Sequence, residues 1–151
     1  MYNTVLIIHS WLRVIILVLA VVVLFKSLMG WLNKGSYTKG DNALSASFVG
    51  FIHLQALLGF TLYFFLSPIT ASAMKNFGAA MKNSAVRYWA VEHILIMLIG
   101  LVVAQIGRSK AKKLTDSTAK HKTSFIFFTI AIVLIVGGIF AGAASRPWFR
   151  M

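Results

Sequence analysis

The chain has 151 residues, 59% of them hydrophobic, with a mean hydropathy of +0.83; soluble domains of this length are far more polar. It contains no cysteine, which excludes disulfides, thiolate metal sites and cysteine-attached haem. Its 15 Lys and Arg against 3 Asp and Glu give a net charge of +12, but the basic residues mostly flank apolar runs, so the charge reads as topology and lipid contact and not as nucleic-acid binding.

A membrane span needs ~20 apolar residues, and four runs qualify. The first covers about 3–29 and carries His9 and Arg13. The N-terminus before it lacks a basic region, and the run is too long for a signal peptide, so it reads as a retained span. A polar, glycine-containing connection follows, with Lys34 and Lys39. The second span covers about 44–66 and holds His53, Gln55 and Gly59.

The next connection opens with Ser67-Pro68, which suits a helix N-cap and first turn. Met74, Phe77 and Met81 fall on one helical face there, so either a short interfacial helix or an ordinary loop fits. The third span covers about 87–107, with Glu92, His93, Gly100 and Gln105. A basic connection with Arg108, Lys110, Lys112, Lys113, Lys120 and Lys122 leads to the fourth span, about 118–144, which contains His121, Gly137 and Gly138. Thr115, Asp116 and Ser117 offer its N-cap.

These elements predict one all-α domain over 1–151, an integral membrane antiparallel four-helix bundle. The excess of Lys and Arg in the first and third connections places them in the cytoplasm and both termini on the outer, periplasmic side. Trp11, Trp31, Trp89 and Trp148 lie towards span ends, as interfacial aromatics do.

Each span carries one histidine, and depth follows from a rise of about 1.5 Å per residue. His9 and His93 both lie ~9 Å from the outer face, on helices that are diagonal in an up-down bundle. A haem between them would take one imidazole on each side of its iron. His53 lies ~13 Å and His121 ~6 Å from the inner face, a weaker match for a second haem. Small residues stand on the complementary diagonals: Gly59, Gly137 and Gly138 at the outer level, Gly100 and Ala20 at the inner one. Glycine also serves plain helix packing, and a membrane histidine often only bridges helices. Arg13 shares the His9 face and suits a haem propionate. Arg87 and Arg146 could serve the same purpose or snorkel to the surface, and Lys120 and Lys122 could serve propionates at the inner site or form a solvated basic loop. Glu92 reads first as an ion-pair partner of Arg87 or Arg146, and second as a proton acceptor at a quinol site. Gln55 and Gln105 read as interhelical hydrogen bonders.

Several segments carry a family resemblance: His9-Ser-Trp-Leu-Arg13, Gly30-Trp31, His53-Leu-Gln-Ala-Leu-Leu-Gly-Phe-Thr-Leu-Tyr63, Arg87-Tyr-Trp-Ala-Val-Glu-His93, Ser109-Lys-Ala-Lys-Lys-Leu-Thr-Asp116 and Lys120-His-Lys122. Together they resemble the small four-span bacterial membrane proteins called cytochrome b or cytochrome-b-like. The resemblance implies b-type haem, one or two per chain, on His9, His53, His93 and His121. It also implies electron transfer with a redox partner protein or a quinone, within the bacterial inner membrane and as a subunit or partner of a larger respiratory complex. The competing expectation is an accessory membrane subunit that binds no cofactor and uses its small-residue faces for packing.

Overall fold

The computed structural model describes residues 1–146, so Trp148 and Arg150 lie outside the described residues. Among the described residues seven α-helices form: α1 (Tyr2–Leu32), α2 (Lys39–Thr61), α3 (Pro68–Lys75), α4 (Phe77–Lys82), α5 (Ser84–Arg87), α6 (His93–Lys113) and α7 (Ser117–Ala143). Two π-helical turns extend this set, Leu62–Leu66 directly after α2 and Tyr88–Glu92 directly before α6. Counting those extensions, four helices are long and apolar enough to cross a membrane: Tyr2–Leu32, Lys39–Leu66, Ser84–Lys113 and Ser117–Ala143.

Local chemistry sets the helix ends. Thr38 and Asp41 make a capping box, in which the Thr38 hydroxyl accepts from Asp41 N at 3.2 Å and Asp41 Oδ2 accepts from Thr38 N at 2.9 Å. This starts α2 about five residues earlier than its apolar run suggests. Ser67 caps α3 with Pro68 in its first turn, and Asp116 caps α7 by accepting from Ala119 N at 2.9 Å. Between α2 and α6 the chain forms short helices. Asn76 breaks α3 from α4, so the expected Met74–Phe77–Met81 face is split: Met74 and Phe77 are exposed, while Met81 packs against the buried Ala73, Ala80 and Ala90.

α6 packs along α7, α7 along α1, α1 along α2, and α2 along α6. The four long helices therefore close a ring in which α1 stands opposite α6 and α2 opposite α7. Their outward faces are apolar: Val18, Val21 and Phe25 on α1, Leu57 on α2, Val102 on α6 and Val133 on α7 are all exposed. Apolar surface of that extent needs a hydrocarbon or protein neighbour. Inside the ring Ile16, Ala20, Val23, Val49, Ile52, Ala104 and Ala131 surround Phe48 and Phe128, whose rings meet edge-on at 5.1 Å with no exposed surface.

α6 and α7 approach each other closely. A Cβ at Gly100 would fall 3.0 Å from Ile135 Cγ1, and one at Gly138 2.7 Å from Met97 Cε. A Cβ at Gly107 would overlap Cβ of Phe127, and one at Gly142 would sit 2.7 Å from Tyr88 Cε1. Small residues of this kind let helix backbones come together where lipid supplies no hydrophobic drive. Two sequence expectations are corrected here. Gly100 and Gly138 make room for side chains of the neighbouring helix and not for a porphyrin edge. Gly137 is exposed, with nothing within 4 Å of its would-be Cβ.

Gly107→Ala should therefore destabilise the protein by about 1–3 kcal/mol, because Phe127 presents its rigid base and not a flexible tip. Gly137→Ala, with open space beside it in mid-helix, should instead leave stability unharmed or raise it by about 0.5–1 kcal/mol. Thermal unfolding of both variants in detergent checks the contrast.

Candidate functional site: a histidine cleft at one end of the helices

Beyond the aromatic core the ring of helices opens into a cleft with about 1470 Å³ of empty space, part of it open to the surroundings. His9 and Arg13 reach it from α1, Gln55 and Gly59 from α2, and His93 and Met97 from α6. Arg146 lies at its edge. The two imidazoles come from opposite helices and stand within electrostatic reach of each other. Arg13 is within reach of both, and Arg146 of His93.

The π turns shape this cleft. A π turn holds one residue more than an α turn and re-aims the side chains beyond it. Tyr63 in the first turn donates its hydroxyl to Ala90 O in the second at 2.6 Å, which bolts the two together. The Thr70 hydroxyl donates to Tyr63 O at 2.7 Å and ties α3 to the same place.

Tyr88 decides the state of His93. Its hydroxyl donates to Gly138 O and also lies 3.3 Å from His93 Nδ1. A hydroxyl has one hydrogen, so towards His93 the tyrosine oxygen can only accept. Neutral His93 is thereby assigned its proton on Nδ1, and Nε2 is left with its lone pair. Two aromatic rings, themselves in contact, pack against the imidazole, Trp89 at 5.1 Å and Tyr88 at 5.8 Å between centroids. Arg146 lies over the Trp89 ring at 4.7 Å, and Trp89 Nε1 donates to Ser145 Oγ at 2.9 Å.

The other side of the cleft holds unspent polar atoms. Gln55 Nε2 donates to the backbone carbonyl of His9 at 2.9 Å, the interhelical bond expected of it. Gln55 Oε1 and His9 Nδ1 are buried and have no hydrogen-bond partner. A buried polar atom in that condition costs about 1–3 kcal/mol, so the cleft suits an occupant with polar or ligand-accepting atoms. Gly59 leaves room beside His9, where an added Cβ would be in ordinary contact with His9 Cε1 at 3.5 Å.

The second histidine pair is not brought together. His53 is exposed on the outer face of α2, and its Nδ1 donates to Val49 O at 2.9 Å on its own helix. His121 is 3% exposed and donates from Nε2 to Ser36 O at 3.2 Å, under the Tyr37 ring and against Gly30. Phe48 and Phe128 fill the interior in this half of the ring. The expected inner haem site is thus replaced by a packed core and a small polar nook. Lys120 and Lys122 lie over Tyr37 and Trp31. Gln105 bonds Ser109 Oγ on its own helix at 3.0 Å and does not bridge helices. Glu92 takes the ion pair expected of it, with Arg87 Nε at 2.7 Å. Among the described residues no three His, Cys, Asp or Glu side chains gather as a metal site.

No protein-family model matches this chain, and no curated protein or solved structure matches it either. None of these comparisons identifies it as a cytochrome b.

Tyr88→Phe should lower the thermal midpoint by several degrees. It removes the bond across the α6–α7 seam while Gly138 O keeps the bond of its own helix, a loss of about 0.5–1.5 kcal/mol, and each kcal/mol moves a chain of this size by about 2–4 °C. Tyr63→Phe, which strips the bolt between the π turns, should behave likewise; an unchanged midpoint for both would mean that neither bond holds the cleft.

Proposed function

We propose that the protein is a membrane-integral b-type cytochrome, an antiparallel bundle of four spans in which His9 and His93 hold one haem. The observation that carries this reading is the pair of imidazoles on one cleft, His93 with a bare Nε2 and His9 with an unsatisfied nitrogen. A ligating histidine characteristically donates its other ring N–H to a fixed acceptor, and Tyr88 supplies that acceptor for His93.

Haem bound there would supply one-electron redox chemistry. This chain's own residues would do the rest. His9 and His93 would hold the haem iron, which would then serve to carry electrons. Arg13 and Arg146 would offer cationic donors to the propionates. Tyr88 and Trp89 would fix the His93 ring, and Gly59 would keep the space beside His9 clear.

The reading gives one haem per chain, because His53 and His121 share no open space. The basic connections, 33–38 and 114–116 with their flanking lysines, would face the cytoplasm of a bacterial inner membrane, with the cleft towards the opposite side. Electrons would pass to a quinone or a partner protein, with the chain acting as a subunit of or partner to a larger complex. The cofactor-free accessory subunit accounts less well for these observations. Four of its small residues, Gly100, Gly107, Gly138 and Gly142, are spent inside the α6–α7 seam, and it leaves the two cleft imidazoles without a role.

Protein purified from haem-replete cells should be red, with a Soret band, sharp bands on reduction, and about one haem per chain. His9→Ala and His93→Ala should each abolish the low-spin spectrum, whereas His53→Ala and His121→Ala should leave it intact. A colourless but fully folded preparation would sink the proposal.

A further inference from the structure

At the end of the ring opposite the cleft, three hydroxyls converge. Ser45 on α2 is 2% exposed and Ser124 on α7 is 1% exposed, and neither Oγ has a hydrogen-bond partner. Both line a small void together with Tyr37, Ser27, His121, Lys26 and Asp41. Tyr37 belongs to the connection between α1 and α2, and its hydroxyl approaches both serines closely enough for weak hydrogen bonding, without reaching full hydrogen-bond geometry with either. The void leaves about 10 Å³ for the centre of a water molecule, close to what one water occupies.

We propose that this void is a binding site for one ordered water molecule, bridging Ser45 Oγ, Ser124 Oγ and the Tyr37 hydroxyl. The donor count closes. Water offers two hydrogens and two lone pairs, enough to give three hydroxyls the full hydrogen bonds that they do not complete with one another. Burial raises the Tyr37 pKa, which keeps this phenol a neutral donor. The neighbours argue against a metal cation in the same space. Lys26 brings a positive charge to the wall of the void and pairs with Asp41 Oδ1 at 3.2 Å. Asp41 Oδ2 is already taken by Thr38, through N at 2.9 Å and Oγ1 at 3.0 Å. No carboxylate oxygen remains to offset a second positive charge.

The water would join α7 to the first connection and the first turns of α2, about 80 residues earlier in the chain. The same connection is already tied to α7 by His121 Nε2 to Ser36 O at 3.2 Å and by a contact of 3.0 Å between Tyr37 N and Ser117 Oγ. The site is independent of the haem reading, and its test needs no cofactor.

The sign of a stability change decides the matter. Ser124→Ala and Ser45→Ala are measured by thermal unfolding in detergent. If the void is dry, each alanine removes an unpaired buried hydroxyl and the midpoint rises. If water is bound, each removes one of its partners and the midpoint falls, by about 2–4 °C for a chain of this size. The double variant should then lose less than the sum, because the two serines share one molecule. A rise, or no change in either single variant, would overturn the proposal. So would stabilisation by sodium relative to choline, which would mark a cation site. A structure at high resolution should show density within about 3 Å of all three oxygens; a direct hydroxyl-to-hydroxyl bond in its place would refute the bridge.

Discussion

The close approach of α6 to α7 is the constraint on which the rest depends. It is made by glycines on both helices, and it lets Tyr88 reach the Gly138 carbonyl on the neighbouring helix. That hydrogen bond spends the tyrosine's only proton within the fold. What the hydroxyl can then do for His93 is fixed: it accepts from Nδ1, which leaves Nε2 of the neutral ring unprotonated. A packing feature thereby sets the chemistry of the candidate site. Larger residues in the seam would push α7 outward and break the link between the two.

The two ends of the helix ring are built on different principles. In one half two phenylalanines and a set of alanines close the interior, and the remaining polar groups are hydroxyls and a histidine satisfied by a backbone carbonyl. In the other the helices part around two imidazoles, a glutamine oxygen without a partner and an arginine. Close packing at one end gives a rigid base from which the cleft residues project. A site that must hold its occupant in one geometry needs such a base.

Much of this was legible in the sequence, and the remainder was hidden for physical reasons. Hydropathy gave the four long helices, and counting the rise per residue matched His9 with His93 in level. Depth is only one coordinate, however. A helix apolar on every side shows no phase, so nothing in the pattern told that His53 points outward while Ile52 beside it points in. Glycine composition likewise carries no record of what fills the space. Gly100 and Gly138 stand near the expected levels but face Ile135 and Met97. The early start of α2 was readable from Thr38 and Asp41, spaced as a capping box, behind a stretch that looked like polar loop. The π turns were not readable, because a one-residue shift inside an apolar run leaves hydropathy unchanged.

Those turns also carry an arithmetic of insertion. Each residue advances an α-helix by about 100°, so one extra residue in a turn rotates everything beyond it by that amount. Tyr63 bonds Ala90 across the two turns, and Tyr88 bonds α7 from within the second. Loss of a single codon from 62–66 or from 88–92 would restore a regular helix while swinging these contacts out of line. The chain therefore tolerates substitution in these turns far more readily than it tolerates a change of length, and its reading frame of side chains is kept by two tyrosine hydroxyls.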